Sequence, residues 1–164
     1  MFEHPAAHAI TPTRPDHSAL VVDTNVVLDL WLFQNPASQQ AVSQALQPGR
    51  RWLACPSMRA ELEQVLTYAH LQRRLMQDQR PLQWVMAQFD AAATRVEPQA
   101  VLAPRCKDRD DQKFIDLAVQ SAAILLSRDL QVLKLAKRLA RLGVMAVTPE
   151  KYLTLSLPVI GSKP

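Results

Sequence analysis

Glycine is almost missing from this chain of 164 residues; Gly49, Gly143 and Gly161 are the only three. Loops that cradle phosphates need glycine so that backbone N–H groups can approach closely. No GxGxxG or Walker A sequence exists here, which argues against a nucleotide-fold enzyme of either kind. Cysteine is nearly as scarce. Cys55 and Cys106 form no CxxC pair and read as reduced, buried thiols. Aromatic residues make up 5% of the chain, too few to signal a stacking platform for single-stranded bases. Trp31, Trp52 and Trp84 sit within apolar patterns and read as core or interface. The four histidines, His4, His8, His17 and His70, show no metal-ligand spacing and read as surface residues. No apolar run is long enough to span a membrane: residues 19–33 are interrupted by Asp23, Asn25 and Asp29. Residues 1–15 lack a basic segment followed by an apolar one, so a secretory signal is not expected and a cytoplasmic location is.

What remains is a mildly basic chain, with a formal net charge of +4 and a pI near 9.4. Its length suits one domain with a substantial core. Residues 1–17 carry Pro5, Pro12 and Pro15 and read as a loose arm, 18–154 as the folded domain, and 155–164 as a loose tail. Within the domain, short apolar runs alternate with amphipathic segments. Strands are expected at 20–23, 51–55, 94–96, 123–127 and 144–147. Helices are expected at 25–33, 37–46, 57–69, 81–93, 110–121 and 130–142, with Ser57 and Thr148 as candidate caps. This alternation implies a three-layer α/β/α sandwich around a mainly parallel sheet of about five strands. In such folds ligands bind outside the carboxyl ends of the strands.

Four acids occupy telling positions. Asp23 closes the first strand and Asp129 follows the fourth. Glu61 lies on the apolar stripe of its helix, three residues after Met58 and four before Val65. Asp111 likewise precedes Phe114, Ile115 and Ala118, whereas Glu63 points elsewhere and Asp108 and Asp110 fall at a helix start. Taken singly, each has a bland explanation: a cap, a turn residue, a partner for arginine. Taken together at one sheet edge, they would repel one another unless a cation intervened. An all-carboxylate donor set suits a hard ion, Mg²⁺ or Mn²⁺, and such sites typically serve phosphate chemistry. A haloacid-dehalogenase-type phosphatase also begins with an acid after a strand, but it needs a second Asp where Asn25 stands.

Four segments together resemble the PIN-domain family. They are Val21-Val22-Asp23-Thr24-Asn25-Val26, Ser57-Met58-Arg59-Ala60-Glu61-Leu62, Cys106-Lys107-Asp108-Arg109-Asp110-Asp111-Gln112-Lys113-Phe114 and Leu126-Ser127-Arg128-Asp129-Leu130. The resemblance covers residues 19–153 and is nearest the bacterial toxin–antitoxin branch (VapC-like), to which Thr148-Pro149-Glu150-Lys151-Tyr152 also looks similar. Arg109 and Gln112 depart from the commoner residues of that segment without removing an acid. The resemblance implies a Mg²⁺- or Mn²⁺-dependent ribonuclease, commonly dimeric, with an antitoxin partner. It implies Asp23, Glu61, Asp111 and Asp129 as catalytic and metal-binding residues, with Thr24, Asn25 and Ser127 in polar support. Asp23 is then the central ligand, Asp111 and Asp129 complete the metal site, and Glu61 holds a water or a second ion.

Arg50, Arg51, Arg73 and Arg74 are candidate RNA contacts. Lys134, Lys137, Arg138 and Arg141 share a helical face that could also serve a substrate path, but it reads rather as a solvated face opposite Leu133, Ala136 and Ala140. The competing reading is a catalytically silent module that binds RNA or a protein partner. The two readings separate on whether the acids converge or are locked onto Arg and Lys.

Overall fold

The computed structural model describes residues 17–47 and 49–156. The sequence-based expectations for the arm and tail therefore lie outside the described residues, apart from His17, Leu155 and Ser156. Five short strands form one sheet: β1 (Ala19–Val22), β2 (Arg51–Ala54), β3 (Ala93–Arg95), β4 (Ile124–Leu126) and β5 (Met145–Val147). Their order is β3-β2-β1-β4-β5, and every pairing is parallel rather than merely most of them. Pairing is in close register, with Val21 opposite Leu125 and Leu125 opposite Ala146. β1 and β4 are buried along their whole length, so they read as continuous apolar runs rather than alternating ones.

Helices cover both faces. α1 (Thr24–Trp31) and α2 (Pro36–Ala45) connect β1 to β2. α3 (Pro56–Val65), α4 (Ala69–Gln77) and α5 (Leu82–Ala92) connect β2 to β3. A long loop, a 3₁₀ turn (Arg109–Asp111) and α6 (Gln112–Ser121) return the chain to β4. α7 (Leu130–Leu133) and α8 (Ala136–Ala140) lead to β5, and α9 (Pro149–Ser156) packs against α2. Right-handed crossovers place α1–α5 on one face of the sheet and α6–α8 on the other. Among the described residues, no helix is long and apolar enough to cross a membrane.

Several boundaries differ from expectation for identifiable reasons. Pro56 starts α3, because its fixed φ and missing N–H suit the first helical position. Cys55 therefore takes the cap position, and Ser57 Oγ instead lies 3.2 Å from Cys55 Sγ. The helix expected over 130–142 breaks at Leu135, whose backbone (φ −88°, ψ 0°) lies at the margin of the helical region and whose N–H bonds to Val132 O. Thr148 does cap α9, accepting from the Lys151 N–H at 3.1 Å. His17 is not a surface residue: it is buried, and its Nδ1 pairs with the Ala122 carbonyl at 2.8 Å. Ala122 itself is the left-handed residue that ends α6 (φ 46°).

The core has an aromatic centre on the β2 side. Trp52 stacks on Trp31 with ring centroids 5.6 Å apart and meets Phe89 edge-on at 5.8 Å. Cys55 and Cys106 are free and buried, as expected. Trp52 is one of the largest fully buried side chains. Replacing it by alanine should cost about 3–5 kcal/mol, through lost transfer free energy and an unfilled cavity. Urea unfolding of Trp52→Ala checks this; a loss below about 1 kcal/mol would mean that the site collapses around the smaller residue.

Candidate active site at the carboxyl edge of the sheet

Parallel strands bring the ends of β1, β2 and β4 to the same edge, and the acids follow from there. The ladder continues one residue past the strands. Asp23 N donates to Leu126 O at 2.9 Å, and Ser127 N donates to Val147 O at 3.1 Å. Asp23 and Ser127 are thus fixed side by side, and Ser127 Oγ donates to Asp23 Oδ2 at 2.6 Å. The same hydroxyl oxygen accepts from the Asp129 N–H at 3.1 Å. Ser127 is completely buried, so this hydroxyl serves both acids with no competition from water.

Asp23 occupies the cap position of α1, yet its side chain caps nothing. It is 3% exposed. Burial pushes its pKa from 3.8 up to about 6; the Ser127 hydrogen bond opposes this, and the charges of Glu61 and Asp129 add to it. Asp111, at the junction of the 3₁₀ turn and α6, is pushed further, to about 7. Burial is again the main cause, followed by the charges of Asp23 and Asp129 and by a side-chain contact with Asp129 that favours the protonated form. With both carboxyls ionised, the buried Oδ2 of Asp111 has no donor. Asp129 caps α7 with one oxygen, Oδ1 accepting from Gln131 N at 2.7 Å. Its bland explanation is therefore realised, and its charge still bears on both Asp23 and Asp111. Three aspartates converge.

Glu61 joins them by a different route. Its Oε2 accepts from Thr24 Oγ1, and its Oε1 lies 3.0 Å from Lys113 Nζ. The side chain is only partly buried, so the apolar stripe of α3 brings it to the rim of the acidic cluster rather than into its interior. Asn25 is exposed on the first turn of α1, and its side chain makes no hydrogen bond among the described residues. Asp108 caps the 3₁₀ turn, and Glu63 pairs with Arg59 away from the site, as their positions implied.

Two cations in this neighbourhood had no role assigned from sequence. Lys113 bridges Glu61 and the Asp110 carbonyl, 2.5 Å from the latter. Its signal was faint, a lone lysine at the second position of α6. Arg128 is the stronger case. It binds Asp29 Oδ2 at 2.7 Å, Ser38 Oγ at 3.0 Å, and both oxygens of Glu150 at 2.7 and 2.8 Å. Those partners lie on α1, α2 and α9, so the turn bearing Ser127 and Asp129 is tied to three helices. Asp29, a carboxylate among the apolar residues Val26, Val27, Leu28 and Leu30 of α1, was the available hint of a cation partner.

The arginines expected near RNA are not brought to this edge. Arg50 is at the amino edge, with its guanidinium on the carbonyls of His17, Ala45 and Gln47. Arg51 begins β2, also at the amino edge. Arg74 is paired with Asp78 and lies over the Phe33 ring. Arg73 is exposed on α4.

Oxygen donors alone, one of them buried and unpartnered, fit a hard divalent cation. Among the described residues, no three His, Cys, Asp or Glu groups are already gathered tightly enough to enclose an ion, so binding one requires the carboxylates to draw inward.

The sheet and its edge define a parallel α/β protein with an acidic cluster at the carboxyl ends of its central strands. A sequence profile of the PIN domain matches residues 19–131, and the chain belongs to the PIN-domain family. Among solved structures it is similar to a chain in the crystal structure of VapBC2 from Rickettsia felis bound to a DNA fragment from their promoter. The two share 10% identity with a TM-score of 0.56 over 79% of this chain and 98% of that one, a likeness of fold. Comparison with curated proteins gives no match.

The raised aspartates have a consequence for stability. A carboxyl whose folded pKa lies above its unfolded value favours folding fully below the unfolded value, and that contribution is lost as pH rises through the folded one. For Asp23 the loss therefore occurs between about pH 4 and pH 6 and is complete by pH 8. Asp23→Asn retains an acceptor for Ser127 and removes the charge. In metal-free buffer it should stabilise the protein at pH 8 by about 2–3 kcal/mol and have almost no effect at pH 4. Denaturant unfolding at both pH values checks this. Equal effects at the two pH values would show that burial does not penalise the Asp23 charge.

Proposed function

We propose that this protein is a metal-dependent endoribonuclease, the toxin component of a toxin–antitoxin system. On this reading it acts in the cytoplasm and hydrolyses RNA phosphodiester bonds with carboxylate-bound Mg²⁺ or Mn²⁺. The observation that carries the reading is the convergence of Asp23, Asp111 and Asp129 at one sheet edge, where Asp111 Oδ2 is buried without a partner. Such an edge is electrostatically unfavourable by itself and favourable around a cation. Membership of the PIN-domain family supports the same chemistry. The antitoxin partner is supported by the fold's likeness to a chain of the VapBC2 complex. The homodimer rests on the family resemblance alone.

Asp23 and Asp111 would be the principal ligands, with Asp129 completing the set. The bound ion supplies Lewis-acid activation of water and of the phosphate oxygens. Ser127 holds Asp23 through Oδ2, and the other oxygen would serve the ion. Glu61 stands at the rim, where it would position the attacking water or a second ion. Thr24 and Lys113 limit its motion from both sides. Asn25, exposed beside the pocket, would offer its amide to a substrate phosphate.

The silent-module reading draws on one feature, the Lys113–Glu61 ion pair. It leaves the repulsion among the aspartates without a purpose, so catalysis is the better account.

Cleavage of a labelled RNA should appear with Mn²⁺ or Mg²⁺ and disappear with chelator. Loss of residues that merely orient metal ligands costs roughly 10–100-fold, so Asp111→Asn, which removes a ligand, should cost at least about 100-fold. Expression of the wild type should arrest growth, and Asp111→Ala should relieve the arrest. Cleavage that persists in chelator and in Asp23→Asn would rule out the metal mechanism. Unaffected growth would remove the toxin role alone.

A further inference from the structure

Among the described residues, the cations divide sharply. Arg59, Arg74, Arg95, Lys113 and Arg128 are ion-paired, and Arg50 and Arg80 are held on backbone carbonyls. Most of those left without an anion fall on two segments. One is the loop that enters the 3₁₀ turn, with Arg105, Lys107 and Arg109; the other is 134–141, with Lys134, Lys137, Arg138 and Arg141.

Topology brings the two together. The long loop after β3 is held to α6 by Gln120, which donates to Glu97 O and accepts from Gln99 N, and then reaches α8. Leu102, Ala103 and Pro104 line a cleft of about 350 Å³ with Arg138, Arg141 and Leu142 of α8 and the turn that follows it. The next residues, Arg105, Cys106, Lys107 and Arg109, line a second cleft of about 510 Å³ with Gln112. The loop is not a free strand. Gln112 fastens it by accepting from Cys106 N at 2.7 Å and donating to Pro104 O at 3.0 Å. Its inner end reaches the acids: the charges of Asp111 and Asp129 both bear on the buried Cys106 thiol. The two clefts thus form a cationic strip, with its upper end beside the acidic pocket.

We infer that the strip lined by Arg105, Lys107, Arg109, Arg138 and Arg141 binds the phosphate backbone of a single-stranded RNA and delivers it to the acidic pocket. This rests on the ribonuclease reading for the substrate, but its residues lie outside the four acids. A polyanion fits for two reasons. Among the described residues the cations lack protein anions, and they border a pocket whose negative charge would otherwise repel a phosphate. Leu102, 96% exposed above the α8 cleft, offers an apolar surface for a base face. The sequence placed the 134–141 cations on a solvated face because the partner loop lies some thirty residues earlier in the chain. An acidic protein segment is the rival occupant.

The test uses the full chain and two readouts. Fluorescence anisotropy in chelator measures binding of a labelled single-stranded RNA of mixed sequence, and cleavage with Mn²⁺ measures turnover. Arg105→Glu/Arg109→Glu and Arg138→Glu/Arg141→Glu should each weaken binding roughly tenfold or more, and should lower the salt slope by about 0.7 for each phosphate no longer neutralised. Cleavage should be impaired in KM rather than kcat. Lys151→Glu on α9 should change neither. Variants that fold, as judged by urea unfolding, and bind RNA like the wild type would overturn the inference while leaving the ribonuclease reading intact. Strip-dependent binding without cleavage by the wild type would do the reverse. Loss confined to Arg51→Glu or Arg73→Glu would place the RNA path elsewhere and overturn the inference. So would strip variants that lose only binding of a polyglutamate peptide.

Discussion

A carboxylate at the end of the central strand has lost almost all of its water, and the surroundings of the site are organised around that fact. Asp23 follows β1, which lies between β2 and β4, so the neighbouring strand ends and α1 exclude solvent from it. One hydroxyl, that of Ser127, compensates part of the cost. Asp111 and Asp129 then add like charge rather than relief. A fold selected only for stability would place an apolar residue or a cation here. The sheet instead tolerates a local electrostatic cost, and the apolar burial of β1 and β4 must outweigh it.

The cations around the edge do two different kinds of work. Lys113 and Arg128 are committed to protein anions and act as fasteners. Arg128 joins the Ser127–Asp129 turn to α1, α2 and α9, so the placement of two pocket residues depends on helices distant in sequence. Such a pair is not worth much as stability, because its partners are partly exposed and solvent screens them. Its worth is geometric: it removes freedom from a short turn that no long helix supports. Most of the uncommitted cations among the described residues lie on the α6–α8 side, outside the acidic cluster itself.

Much of this arrangement was legible from residues alone. Apolar runs ending in Asp23 and Ser127 marked strand ends, and parallel topology forced those ends together. The stripe on α6 pointed to Asp111 as the inward acid, and Asp111 is indeed partly buried while Asp110 and Asp108 are exposed, because Phe114 and Ile115 fix which face turns inward. Other features were hidden because they depend on tertiary contacts between distant segments. Nothing local shows that Arg50 folds back onto its own chain or that His17 finds Ala122. The break at Leu135 follows from an isolated 3₁₀ bond rather than from any glycine or proline. The cationic strip was only half visible: the 134–141 cations stood out as a basic face, but nothing local lays the long loop beside α8.

The most direct measurement is anomalous diffraction at the manganese edge from crystals soaked in Mn²⁺ at pH 8, where Asp23 and Asp111 are both ionised. A manganese peak between Asp23 and Asp111, with Asp129 drawn toward it, is the predicted result. An unchanged carboxylate cluster with no peak, or with manganese bound only elsewhere on the protein, would contradict a metal-centred site.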